Sequence, residues 1–129
     1  RHRIAQELLR VLAEDDPEVS RSLESALGEA GYEVQRVSNG PEVLEKAPAL
    51  GPDVILLKEV LPQLNGSAVA SLINVMTSMA QVRVVLYDET LRGDEEPPAR
   101  YSNIRCIRKV LKSREPAAIV KALNALLSR

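Results

Sequence analysis

The sequence predicts a single α/β domain built on a parallel sheet, and three observations predict it. Apolar runs of strand length alternate with stretches of helical periodicity along the whole chain, which implies right-handed strand–helix–strand crossovers and a sheet covered on both faces. One of the runs, Val54-Ile55-Leu56-Leu57, is apolar at every position and lies between Pro52 and a turn, Pro62 to Gly66, as expected of a central strand buried on both sides. The chain has 129 residues and one cysteine, so it must build one core without a disulfide.

Each element has its own signal. Residues 1–7 are polar and are expected to be a linker or N-terminal extension, leaving 8–129 as the domain. Leu8 to Ala13 reads as the first strand, stopped by Glu14-Asp15-Asp16. Asp16-Pro17 starts a helix, with an N-cap aspartate followed by proline in the first turn. Val19, Leu23, Ala26 and Leu27 form its apolar face, and Gly31 stops it. Tyr32 to Val37 alternates as a second strand, and a short helix follows from Pro41 to about Ala47, ended by Pro48, Gly51 and Pro52.

Beyond the central strand, Val69, Leu72, Ile73 and Met76 form the face of a third helix. Val82 to Tyr87 reads as the fourth strand, Ile104 to Ile107 as the fifth, and Glu115 to Leu127 as the last helix, with Ser113 placed to cap it. The rhythm breaks between Asp88 and Asn103. Gly93, three consecutive acids and Pro97-Pro98 stand where a fourth helix belongs, and interior proline costs a helix about 3 kcal/mol. A loop or a much-shortened helix is expected there.

Composition excludes several classes. A net charge of −1 gives no general attraction to nucleic acid or membrane, and three tyrosines with no Phe or Trp provide no stacking platform for single strands. No run approaches the roughly 18 apolar residues of a membrane span, and no signal-peptide pattern opens the chain. The single cysteine, Cys106, suits a reducing cytoplasm and reads as a small buried apolar residue rather than a redox sensor. The chain opens on Arg1 rather than methionine, and is expected to be one module of a longer protein.

Two segments carry a resemblance. Val11-Leu12-Ala13-Glu14-Asp15-Asp16-Pro17, and Pro52-Asp53-Val54-Ile55-Leu56-Leu57 with Leu61-Pro62 and Gly66, resemble the receiver domain of two-component response regulators, over about residues 8–129. The resemblance implies a CheY-like, flavodoxin-like doubly wound sheet of five parallel strands in the order 2-1-3-4-5. It also implies a chemistry. A histidine kinase passes a phosphoryl group to an Asp at the end of the third strand, an acidic pair after the first strand holds Mg²⁺ with that Asp, and a Thr or Ser after the fourth strand and a Lys after the fifth bind the phosphoryl group. Glu14 and Asp15 match the acidic pair, and Lys109 matches the lysine.

Two positions depart from the pattern. Lys58 stands at the phospho-acceptor position and Tyr87 at the Thr/Ser position. A protonated amine has no lone pair for phosphoryl transfer. It also brings positive charge to the metal position, so Mg²⁺ binding is expected to be lost or weak. With Glu14 and Asp15 against Lys58 and Lys109 the site is formally neutral, and Lys58 is expected to reach back to Glu14 or Asp15 in place of the ion rather than stay solvated. Tyr87 either packs with its hydroxyl at the rim or fills the space of the missing phosphoryl group. The positions where the family carries an aromatic switch residue hold Cys106 and Ile107, and Val110 follows Lys109 where a proline is usual.

The expected function is a non-enzymatic pseudo-receiver, a cytoplasmic signalling module that needs no cofactor. Its partners would be a histidine kinase, an output domain or another regulator, with a homodimer as a further option. The basic residues Arg105, Arg108, Lys112 and Arg114 lie on the side that receivers use for dimerisation and output, and form a candidate interaction surface. Two alternatives belong to other classes. One is a receiver phosphorylated at a different acid, Asp16 or Glu59, although strand alternation turns Glu59 away from the site. The other is a small-ligand or nucleotide module, against which stands an acidic turn after the first strand and no glycine-rich phosphate loop.

Overall fold

In a computed structural model of the chain, residues 9–91 and 101–127 are described. Five strands form one parallel sheet: β1 (Leu9–Ala13), β2 (Glu33–Val37), β3 (Val54–Lys58), β4 (Arg83–Tyr87) and β5 (Ile107–Leu111), in the order β2-β1-β3-β4-β5. The described helices are α1 (Pro17–Glu29), α2 (Gly40–Leu50), α3 (Gly66–Asn74) and α4 (Pro116–Leu127), with a 3-10 turn at Thr77–Met79. This is the doubly wound fold the sequence predicts.

The sheet divides two aliphatic cores. On one face Val11, Ile55, Leu57, Val84 and Leu86 pack against Val43 and Ala47 of α2 and Val69, Ala70 and Ile73 of α3. On the other, Leu12, Leu56, Val85 and Tyr87 pack against Leu23 and Leu27 of α1 and Ile119 and Leu123 of α4. Val54 to Leu57 are fully buried, alternate residues serving opposite cores, so β3 is apolar at every position before Lys58. Each such side chain contributes roughly 1.5–3 kcal/mol of burial free energy.

The helix starts follow their capping signals. Asp16 Oδ1 accepts from the backbone N–H groups of Glu18 at 3.0 Å and Val19 at 3.3 Å, with Pro17 in the first turn. Asn39 Oδ1 accepts from Glu42 N at 2.8 Å and starts α2. The N-terminus of α3 presses against the end of β3. A Cβ on Gly66 would lie 2.4 Å from the Lys58 carbonyl oxygen, so the position requires glycine for close approach.

Three expectations about element bounds are corrected. Helix α2 runs through Pro48 to Leu50 instead of ending near Ala47. Ala47 is buried, Leu44 and Leu50 pack against the core, and Gly51 at φ 61° closes the last turn by donating to Ala47 O at 2.9 Å. Helix α3 ends at Asn74, so Met76 lies beyond it, and Leu72 is exposed.

Strand β5 begins where the sequence suggests it ends. Ile104 and Ile107 close successive turns, with Ile104 N donating to Tyr101 O and Ile107 N to Ile104 O, and the ladder starts only at Ile107. It also carries a bulge: Val84 pairs with Ile107 but Val85 pairs with Lys109, leaving Arg108 as the extra residue. Within Asp88–Asn103 the described residues form turns and a short helical turn at Tyr101. The prolines expected to break a fourth helix there lie outside the described residues, as do residues 1–8.

Candidate functional site

β1, β3 and β4 deliver Glu14, Lys58 and Tyr87 to one corner at the carboxyl edge of the sheet. Lys58 pairs in register with Tyr87, and Tyr87 with Leu111. Glu14 follows β1 directly and extends its ladder by one bond, donating its N–H to Val37 O at 3.1 Å. Period-2 alternation puts all three side chains on the α1/α4 face of the sheet.

Glu14 is the hub. Its side chain is fully buried, and both carboxylate oxygens are occupied. Oε1 accepts from the Tyr87 hydroxyl at 2.5 Å, while Oε2 accepts from Lys58 Nζ at 3.2 Å and from the Asp16 N–H at 3.0 Å. Lys58 Nζ also donates to Asp15 Oδ1 at 2.9 Å, where the carboxylate is part-exposed at 37%. A buried charge without such partners would cost several kcal/mol; here each oxygen has one.

The network fixes protonation states. Burial lowers the pKa of the Lys58 ammonium, but hydrogen bonds and charge from Asp15 and Glu14 outweigh it and hold the group above its ordinary value. Burial, reinforced by the Glu14 charge and hydrogen bond, pushes the Tyr87 phenol far above the usual range, so it stays a donor. The ring of Tyr87 is fully buried between α1 and α4. Its hydroxyl bonds inward to Glu14 rather than resting at the rim.

The other predicted residues separate. Lys58 reaches both members of the acidic pair, whereas Lys109 stands two residues short of the end of its strand. Lys109 lies in mid-strand opposite Val85, and Lys112 is the first residue past the end of β5. The lysine that follows the fifth strand is therefore Lys112, a correction that comes directly from the later start of β5. The neutral count made with Lys109 changes with it: Lys58 contacts Glu14 and Asp15, while Lys109 stands within β5 rather than past its end.

The basic cluster also divides. Arg105 and Arg108 lie at the amino end of β5, whereas Lys112 and Arg114 lie past its carboxyl end. Arg114 sits 3.2 Å from Glu89 Oε2 and 3.8 Å from Asp16 Oδ2. The two alternative acids have structural partners: Asp16 caps α1, and Glu59 caps α3 by accepting from Ser67 N at 2.8 Å and Ser67 Oγ at 2.9 Å. Cys106 is half-buried, its Sγ 3.4 Å from Ala70 O, and burial pushes its thiol up to about 11.

Sequence reasoning missed Asp88. It is buried, and its Oδ2 accepts from Val60 N at 2.9 Å while Oδ1 accepts from Thr90 N at 3.1 Å and Thr90 Oγ1 at 3.0 Å. Asp88 thus ties the loop after β3 to the turn after β4. The Asp88-x-Thr90 spacing is the side-chain turn signal that could have found it. Beside it lies a cavity of about 190 Å³ lined by Lys58, Val60, Asp88, Thr90 and Arg114 among others.

Residues 11–124 match the sequence profile of the response regulator receiver domain. The chain belongs to this family. The receiver is 26% identical over 117 residues to the chemotaxis protein CheY of Thermotoga maritima, a match covering 89% of this chain and 94% of that protein. It is 32% identical over 76 residues to protein Rrf1 of Nitratidesulfovibrio vulgaris, covering 59% of the receiver and 55% of Rrf1, about half its length. Among solved structures, the BeF3-activated N-terminal receiver domain of Klebsiella pneumoniae RstA superposes with a TM-score of 0.77 at 25% identity, covering 94% of this chain and 99% of that one.

Proposed function

We propose that this receiver is a pseudo-receiver, a signalling module that acts through protein contacts without accepting a phosphoryl group at the end of its third strand. The observation that carries the reading is the Lys58 ammonium bound to both Glu14 and Asp15. Family resemblance puts the acceptor carboxylate at Lys58. An amine held protonated by two carboxylates is not a nucleophile at neutral pH.

The residues present do not fit the Mg²⁺ that the family implies. A divalent ion takes oxygen ligands, and Mg²⁺ is bound through one or two carboxylates with several waters. Here both Glu14 oxygens are engaged by Tyr87, Lys58 and the Asp16 N–H, and Asp15 faces the same ammonium. A metal would have to displace a tethered cation at contact distance. Tyr87 further occupies the Thr/Ser position with a buried ring whose hydroxyl is committed to Glu14. The residues two and three places before Lys112 are Val110 and Lys109, neither an aromatic switch.

Partners remain those of a signalling module: a histidine kinase, an output domain, another regulator or a second copy. Phosphorylation at Asp16 or Glu59 is disfavoured because each carboxylate caps a helix. A small-ligand role at the carboxyl-edge crevice is disfavoured because the cavity beside Lys58 falls below the roughly 300–1,000 Å³ of ordinary ligand sites.

The test is incubation with acetyl phosphate and Mg²⁺, read by intact mass. The expected spectrum shows only unmodified protein. A mass increase of one phosphoryl group, located to an acid by reductive trapping, overturns the reading.

A further inference from the structure

At the amino edge of the sheet, opposite the Lys58 corner, lies a cleft of about 620 Å³. Its walls are the end of α3, the 3-10 turn, and the first residues of β4 and β5. Three arginines from two strands line it: Arg83 at the start of β4, and Arg105 and Arg108 around the start of β5. Asp53 is the one acid in the lining.

Two features make this more than a solvated charge run. Arg108 is the extra residue of the β5 bulge, and bulges re-aim the side chain they carry. Out of the strand's alternation, it lines the same cleft as Arg105. The wall behind it is fixed, since Cys106 N donates to Asn74 Oδ1 at 3.1 Å and Cys106 Sγ contacts Ala70 O, joining β5 to α3. The same lining carries Val75, 75% exposed, next to half-buried Met76. Guanidinium groups bind carboxylates in bidentate geometry, and an exposed apolar side chain beside them invites an apolar partner.

We propose that this cleft docks an acidic segment of a partner protein. Carboxylates of that segment pair with Arg83, Arg105 and Arg108, and an apolar side chain between them lies against Val75. A nucleotide is the weaker occupant: the lining holds no aromatic ring to stack a base and no glycine-rich turn to cradle phosphate. The cleft and the Lys58 corner are at opposite edges of the sheet, so either reading can fail without the other.

Fluorescence anisotropy with a labelled peptide of alternating glutamate and leucine tests the proposal. The peptide is expected to bind the intact chain, and to bind more weakly as NaCl rises from about 50 to about 500 mM. Paired substitution Arg105→Glu with Arg108→Glu is expected to weaken binding about tenfold or more. The matched reversal Arg21→Glu with Lys121→Glu, at exposed positions elsewhere, is expected to leave it near the wild-type value. Equal losses in the two pairs, or none in the first, overturn the proposal. So does displacement of the peptide by ATP or inorganic phosphate at concentrations where sulfate of equal ionic strength has no effect. Should the first pair fail to fold, amide shift changes on peptide titration into wild-type protein decide: changes confined to Val75, Arg105, Cys106 and Arg108 support docking, and their absence overturns it.

Discussion

Glu14 keeps its charge out of water, so its neighbours set what the site tolerates. Lys58→Met would leave that carboxylate with only Tyr87 and one backbone N–H. Breaking a buried pair costs about 3–5 kcal/mol; the part-exposed Asp15 arm adds little, and some water would enter, so a loss of about 2–3 kcal/mol is expected in urea unfolding. Tyr87 gives a pH signature. Its phenol is held well above the ordinary value of 10.0, and Lys58 is held above 10.5. In the unfolded chain both lose a proton near their ordinary values, while the folded chain holds each to higher pH. The unfolded state then binds fewer protons, so the contribution of these two groups is constant below about pH 10 and falls as pH rises above it, by up to about 1.4 kcal/mol per pH unit for each group. Phenolate absorbance from Tyr87 should appear only with unfolding, and Tyr87→Phe should remove that component.

At the scale of elements, the helix caps and the strand interior make opposite predictions. Asp16→Ala removes the acceptor for two N–H groups of α1 and should cost about 1 kcal/mol in chemical denaturation. Arg10, inside β1, should behave the other way. Its guanidinium is fully buried, stacks 4.3 Å from the Tyr32 ring centre, and has no hydrogen-bond partner among the described residues for any of its three nitrogens. Burial pulls its pKa down to about 10. Arg10→Met keeps the packing volume and removes an unsatisfied charge, so stability should stay the same or rise by about 1–2 kcal/mol; a loss beyond 1 kcal/mol would show that the stacking on Tyr32 outweighs desolvation.

For the whole molecule, Lys58→Asp is the informative change. Three carboxylates would then meet at the corner, and like charges at contact distance repel. The melting temperature should fall in EDTA and recover with millimolar Mg²⁺, whereas the wild-type protein should show no Mg²⁺ shift. An unchanged melting temperature in both conditions would mean that the ammonium does not hold the corner together.

The overall architecture was readable because its strongest signals are local. The all-apolar run at β3 and the Asp16-Pro17 start each specify one place in the fold, and the receiver resemblance placed Glu14, Asp15 and Lys58. What escaped was set by tertiary contacts. A bulge at Arg108 disrupts the period-2 pattern that would have located β5, and with it the lysine beyond the strand. Core packing of Ala47 and Leu50 carries α2 past a proline that local propensity would make a stop. Arg10 and Asp88 are buried through neighbours distant in sequence, which a local window does not contain.

The bulge has a consequence for assembly. β5 is the last strand in the sheet order, and a flat terminal strand is a template on which another chain can pair its backbone. Arg108 interrupts the ladder near the amino end of β5 and is followed by Lys109, so a second copy approaching edge to edge would meet a mismatched register and like charge. The same irregularity that hid the strand from a periodic reading works against a sixth strand adding beside β5.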